Sequence, residues 1–242
     1  WSCNFAKRRK VKGRNISSKG VIMALREFII ESHNKNSHKG VLGVEFIVQD
    51  KGKLDSMELR IFMNKLKETL SPKALNHVNQ IKFGRFANLD KENYKSYYKD
   101  GTIYLSNQVN FVEDLIMNFF HELAHSFEKP YYEQIYEDGF LAKEFKNKRN
   151  QLKNVISVYE GGRTPPFDFN QINYSKELDN YLVNTIGYDK LWKYCAGIFT
   201  NPYAVTSLRE YFAAGFENWL KGDQEVLYRS SPVLYNKLKQ FF

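Results

Sequence analysis

Phe111-Val112-Glu113-Asp114-Leu115-Ile116-Met117-Asn118-Phe119-Phe120-His121-Glu122-Leu123-Ala124-His125-Ser126-Phe127-Glu128 is the stretch on which the fold turns. Its apolar residues Val112, Leu115, Ile116, Phe119, Leu123 and Phe127 recur at helical spacing, so 110–128 is expected to form one helix. The Ser106-Asn107 pair upstream offers the chemistry that starts it. Residues four apart share a helix face, which aims both imidazoles, His121 and His125, at one spot. Two histidines and a glutamate inside so apolar a helix are costly to bury without partners. Chance would produce H-E-x-x-H in roughly one chain of this composition per several hundred. The pentapeptide therefore reads as a zinc-binding pair, with Glu122 beside the metal as a base acting on its water.

Upstream of this helix the pattern is mixed. Residues 19–35 read as an amphipathic helix, 41–49 as a strand closed by Asp50-Lys51-Gly52, and 55–70 as a helix capped by Asp55 or Ser56. Met57, Leu59, Ile61, Phe62 and Leu66 are expected to face inward. Strands follow at 79–86 and 102–106, separated by a polar, tyrosine-rich loop ending in Asp100-Gly101. Downstream everything is helical: 131–157 with a break at Gly139, then 175–186, 188–198, 206–221 and 232–241. Gly187 and Gly222 stand where helix C-caps belong, and 161–166 (GGRTPP) is the clearest loop. The expected class is α+β: a basic arm over 1–18, then one domain over 19–242. That domain has an α/β part to about residue 130 and a helical part over 131–242.

With 43% hydrophobic and 16% aromatic residues, the 242-residue chain is no disordered segment. No apolar run reaches the ~20 residues of a membrane span, and no signal peptide is visible. The chain opens at Trp1 rather than Met, which suggests a fragment or processed product of something larger. Cys3 and Cys195 are either one disulfide or two buried thiols. The net charge is +9. Lys7-Arg8-Arg9-Lys10-Val11-Lys12-Gly13-Arg14 is the densest basic run, read first as a solvated arm and second as a contact for an acidic partner or nucleic acid. A second run, 143–153 (KEFKNKRNQLK), is expected to be a solvated helix face. Neither carries a nucleic-acid-binding motif.

A catalytic zinc needs a third protein ligand and an open position. No histidine follows His125, so that ligand must be a carboxylate, or the site is incomplete. Glu210 is the best candidate, because Ala213, Ala214 and Gly215 would let its helix approach the histidine helix. Against it, Ser207 and Glu210 match the S-x-x-E capping box. Glu217 is a rival two turns on; about 11 Å of helix separates them, so only one can ligate the same ion. Tyr203, just after Asn201-Pro202, is placed to swing a phenol towards the metal.

H-E-x-x-H on an apolar helix, followed far downstream by Y-x6-E and an aromatic-aromatic-Ala run (Tyr203, Glu210-Tyr211-Phe212-Ala213), resembles the anthrax lethal-factor-like zinc metallopeptidases. The bacterial Pro-Pro endopeptidases belong to that group. The resemblance implies a zincin-like fold and a zinc endopeptidase with His121, His125 and Glu210 as ligands. Glu122 would be the base and Tyr203 the oxyanion stabiliser. It further implies a peptide substrate extended along an edge strand at 102–106, touching Thr102, Ile103 and Tyr104, and weakly a secreted or delivered toxin-type effector. Where the family often has a second glutamate, four residues after the ligand, this chain has Ala214. Glu128 matches an acidic position of the family and offers some compensation around the metal. The alternative is a retired zincin serving as a structural or interaction module of a toxin or virion protein.

Overall fold

The computed structural model describes residues 37–50, 52–92 and 94–242. The basic arm, the helix expected over 19–35 and Cys3 lie outside the described residues. Cys195 is a buried free thiol.

The α/β half is a five-stranded mixed sheet in the order β1-β2-β3-β5-β4. Strands β1 (Ser37–Val41) and β2 (Val44–Val48) form a hairpin, where a single strand over 41–49 was expected. The turn is Leu42-Gly43, both with positive φ (53° and 90°), the geometry of a tight two-residue hairpin turn. Helix α1 (Ser56–Thr69) connects β2 to β3 (Gln80–Gly84), which runs parallel to it. Asp55 caps α1 through a capping box with Glu58, a device worth about 1 kcal/mol. Leu59, Phe62 and Leu66 are buried, whereas Met57 and Ile61, expected inward, are exposed. They sit on the opposite side of the helix from that narrow stripe.

A short helix α2 (Ala87–Glu92) follows, then a hairpin of β4 (Ser96–Lys99) and β5 (Thr102–Ser106). Its turn is Asp100-Gly101, again with both φ values positive. β5 pairs with β3 on one side and β4 on the other, so β4 is the edge. The expectation of an edge strand at 102–106 is thereby corrected, and the tyrosine-rich loop is in fact that edge. Ile103 and Leu105 point into the core with Ile81, Phe83 and Phe46. There the rings of Phe46, Phe62 and Phe119 meet in sequence, tilted and then edge-to-face, 5.7 and 5.8 Å apart, joining sheet, α1 and α3 (Val112–Glu128).

α3 starts without the expected cap. Its N-cap is Phe111 with no side-chain hydrogen bond; Asn107 instead donates to Asp50, and Ser106 accepts from the Gln108 amide. Glu113 and Asp114 in the first turn face the positive end of the helix dipole.

In the helical half, a π-turn (Glu133–Glu137) ends at Gly139, the expected break, and α4 (Phe140–Tyr159) follows. α5 (Lys176–Asn180) continues as a π segment to Gly187 and then α6 (Tyr188–Cys195). α7 (Leu208–Lys221) packs along α3 and ends on the left-handed Gly222. α8 (Gln224–Ser230), not anticipated, and α9 (Pro232–Leu238) close the chain. Gly215 of α7 makes room for α9 rather than for α3, since a Cβ there would meet Leu234 at 2.3 Å.

The basic run on α4 is a solvated face only in part, with Lys143 exposed. Lys148 and Arg149 are buried. Lys148 donates to the Ile198 carbonyl, and Arg149 lies between the rings of Phe145 and Phe169 and donates to the Gln171 carbonyl. Burial drags the lysine down to about 8. Their long stems fill core volume while their charges reach backbone oxygens.

Candidate metal centre

Two helices build the centre. α3 brings His121 and His125 onto one face, and α7 lays Glu210 across from them. The ring nitrogens His121 Nε2 and His125 Nε2 are 3.2 Å apart. Glu210 Oε2 lies 2.9 Å from the first and 3.7 Å from the second. Ligand atoms about 2.0–2.1 Å from a tetrahedral zinc stand about 3.3 Å from each other. The triangle has that size. Glu210 Oε2 is buried and, among the described residues, accepts no well-aligned hydrogen bond, so a carboxylate oxygen is aimed at two nitrogens with no donor directed squarely at it. Ser207 caps α7 by accepting from the Glu210 amide, but the Glu210 carboxylate turns to the histidines instead of completing a capping box.

Each imidazole is backed by a second carboxylate. His121 Nδ1 meets Glu217 Oε1 at 2.5 Å, and His125 Nδ1 meets Glu128 Oε2 at 3.0 Å. A carboxylate accepts, so each Nδ1 carries a proton, and it is Nε2 of each ring that, once unprotonated, offers a lone pair to the common point. Glu217 is therefore the orienting partner of His121 rather than a competing ligand, and Ala214 leaves no gap in that support. Glu128 is itself gripped: Arg209 donates to both its oxygens, and the Tyr136 hydroxyl donates at 2.7 Å.

Charge follows geometry. Burial pushes both histidines down, yet the facing carboxylates outweigh it, holding His121 well above its usual value and His125 at about 9. Burial alone would raise Glu210 and Glu128, but contacts with the histidines, and Arg209 for Glu128, lower both, Glu128 to about 2. Glu122 moves up instead, because burial exceeds the pull of His121, His125 and Ser96. Ser96 Oγ on the edge strand donates to Glu122 Oε1 at 2.7 Å. The Tyr203 ring lies 5.7 Å from that of His121, and burial, then Glu210, raises its phenol.

His121, Glu122, His125, Glu210, Tyr203, Glu128 and Glu217 thus converge. Thr102, Ile103 and Tyr104 do not: Ile103 is core, and Tyr104 stacks on Tyr97 at 4.4 Å, on the sheet face away from Ser96. β5 is paired on both edges and has no free backbone to offer. Ser96, Arg209 and Tyr136 escaped the sequence reading. Only Ser96 had a signal, standing in a short alternating run before an Asp-Gly turn.

Fold and site define an α+β domain with a largely buried His-His-Glu group that could bind a metal ion. No family model matches the chain, and neither a curated protein nor a solved structure matches it. No helix among the described residues is long and apolar enough to cross a membrane.

Proposed function

We propose that the protein is a zinc endopeptidase with a zincin-like fold. The observation carrying this is the triangle of His121 Nε2, His125 Nε2 and Glu210 Oε2 with a buried carboxylate, Glu122, adjoining it. Zinc held by those three atoms would supply Lewis acidity and acidify a water. The peptide substrate adds to β4 as a further, antiparallel strand. Glu122 takes the proton of the attacking water and passes it to the leaving amine. Ser96 occupies Glu122 Oε1 and fixes the carboxylate for that task. Tyr203, its phenol raised and hence protonated at neutral pH, donates a hydrogen bond to the developing oxyanion. Two carboxylates on the histidines' far nitrogens are more than a structural ion pair requires, which favours an active centre over a retired one.

The test is zinc analysis together with peptide-library cleavage. Wild type should hold stoichiometric zinc and cleave; Glu122→Gln should keep the zinc and lose about 10²–10⁴-fold in kcat. A wild type without zinc, or a Glu122→Gln variant that cleaves normally, would sink the reading.

A further inference from the structure

Beside His125 opens a cavity of about 560 Å³, lined by Tyr98 of β4, Tyr132, Tyr136, Ala142, Ile172 and Leu208. Two of its three tyrosines have spent their hydroxyls elsewhere: Tyr98 donates to the His77 carbonyl and Tyr136 to Glu128. They present ring surface to the cavity. Of the charged groups in its wall, Glu128 and Arg209 pair with each other, which leaves Lys129 as the charge beside His125 that is unpaired among the described residues. A largely ring-walled cavity of this size suits a bulky apolar group, with aromatic guests favoured by edge-to-face contact.

The strand direction says which part of a substrate reaches it. β4 runs from Ser96, held against Glu122, to Tyr98 and Lys99. Side chains two apart share a strand face, so Tyr98 points to the same side as Ser96, one repeat further along. A peptide paired antiparallel to β4 travels the other way, passing Tyr98 before it reaches Glu122. We infer that this cavity is a specificity subsite that takes a bulky, preferentially aromatic side chain within two residues on the N-terminal side of the scissile bond. The inference rests on the peptidase reading and adds to it the class of substrate.

Cleavage-site profiling of a mixed peptide library by the zinc-loaded 242-residue chain tests it. Synthetic peptides with Phe or Ala at each of the two positions before the cut then quantify the preference. The expected result is a kcat/KM ratio of Phe over Ala of at least about tenfold at one of those positions. Ala142→Phe, which fills the cavity, should bring that ratio within about twofold of unity. If that variant does not fold, Tyr132→Ala at the exposed rim should lower the ratio at least about threefold. Binding of the Phe peptide to Glu122→Gln, followed by calorimetry, should favour it over the Ala peptide in the same sense. Cleavage without preference at these positions, or with preference only after the cut, overturns the subsite and leaves the peptidase standing. A folded, zinc-loaded chain that cleaves nothing overturns both.

Discussion

His121 and His125 stand one turn apart on α3, yet they are held in different ways. The partner of His121 comes from α7: Glu217 reaches its Nδ1, and Glu210 on the same helix reaches its Nε2. His125 is backed from its own helix by Glu128, which Arg209 and Tyr136 then fix in place. One imidazole depends on how two helices pack, the other on a local i, i+3 contact locked by a network. Each half of the site should therefore fail differently.

Glu210 belongs to both halves and should have the largest effect. Glu210→Ala removes the carboxylate oxygen that, among the described residues, faces both Nε2 atoms, and leaves two imidazoles against each other. Zinc affinity, measured by competition with a chromophoric chelator, should fall by more than the 10–100-fold typical of an outer partner. Affinity within about tenfold of wild type would mean that another group ligates.

Proton competition comes next. His125 is held at about 9 in the folded, metal-free protein against an ordinary 6.5. Its stabilising effect is full below about 6.5 and is lost as the pH rises through 9. Glu128, at about 2 against 4.5, contributes above 4.5 and loses its effect as the pH falls towards 2. Zinc takes the unprotonated ring, so its affinity should climb by about two orders of magnitude from pH 6.5 to 9. Thermal melts with zinc and with chelator should diverge over the same window. Parallel melting curves from pH 6 to 9 would show that the histidines carry no proton for the metal to displace.

The comparison sharpens with one substitution on each side. Glu217→Ala and Glu128→Ala should each lower zinc affinity about 10–100-fold. Both should destabilise the metal-free fold, since each histidine loses a carboxylate that holds its proton, and Glu128→Ala should cost about 1–3 kcal/mol more, because the half-buried Tyr136 hydroxyl also loses its acceptor. Arg209 is largely exposed and adds little to that cost. Equal stability losses at the two positions would erase the distinction.

Periodicity made α3 legible, and the pentapeptide made the histidine pair of the candidate site legible with it. Glu210 could be read because, without a third histidine, only a carboxylate was left. What escaped was anything set by partners distant in sequence. The reach of Glu217 to His121 depends on how α7 lies along α3, which no local pattern encodes. Lys148 and Arg149 look solvated because their charges suggest water, yet backbone carbonyls at Ile198 and Gln171 receive them. Leu42 in a left-handed turn position gave no sign of breaking a strand, although Gly43 beside it did. The edge strand is different: Asp100-Gly101 between alternating segments is a hairpin signal, and crediting it would have put Ser96–Lys99 at the sheet's edge.

Ser96 on that edge is the basis of the smallest expected effect. Among the described residues its hydroxyl is the hydrogen-bond donor that holds Glu122 Oε1, and it opposes the burial that raises the carboxyl. Ser96→Ala should lower kcat about tenfold, the scale of one hydrogen bond to a charged group. Zinc content should not change, since Ser96 touches no ligand atom, and KM should hold because a substrate strand pairs with the β4 backbone. Losing the hydroxyl also removes a stabiliser of the charged form, so the acidic limb of the pH–rate profile should move to higher pH. Ser96→Thr, which keeps a donor, should restore both. A fall in kcat with an unmoved acidic limb would mean that Ser96 shapes the strand and does not tune the base.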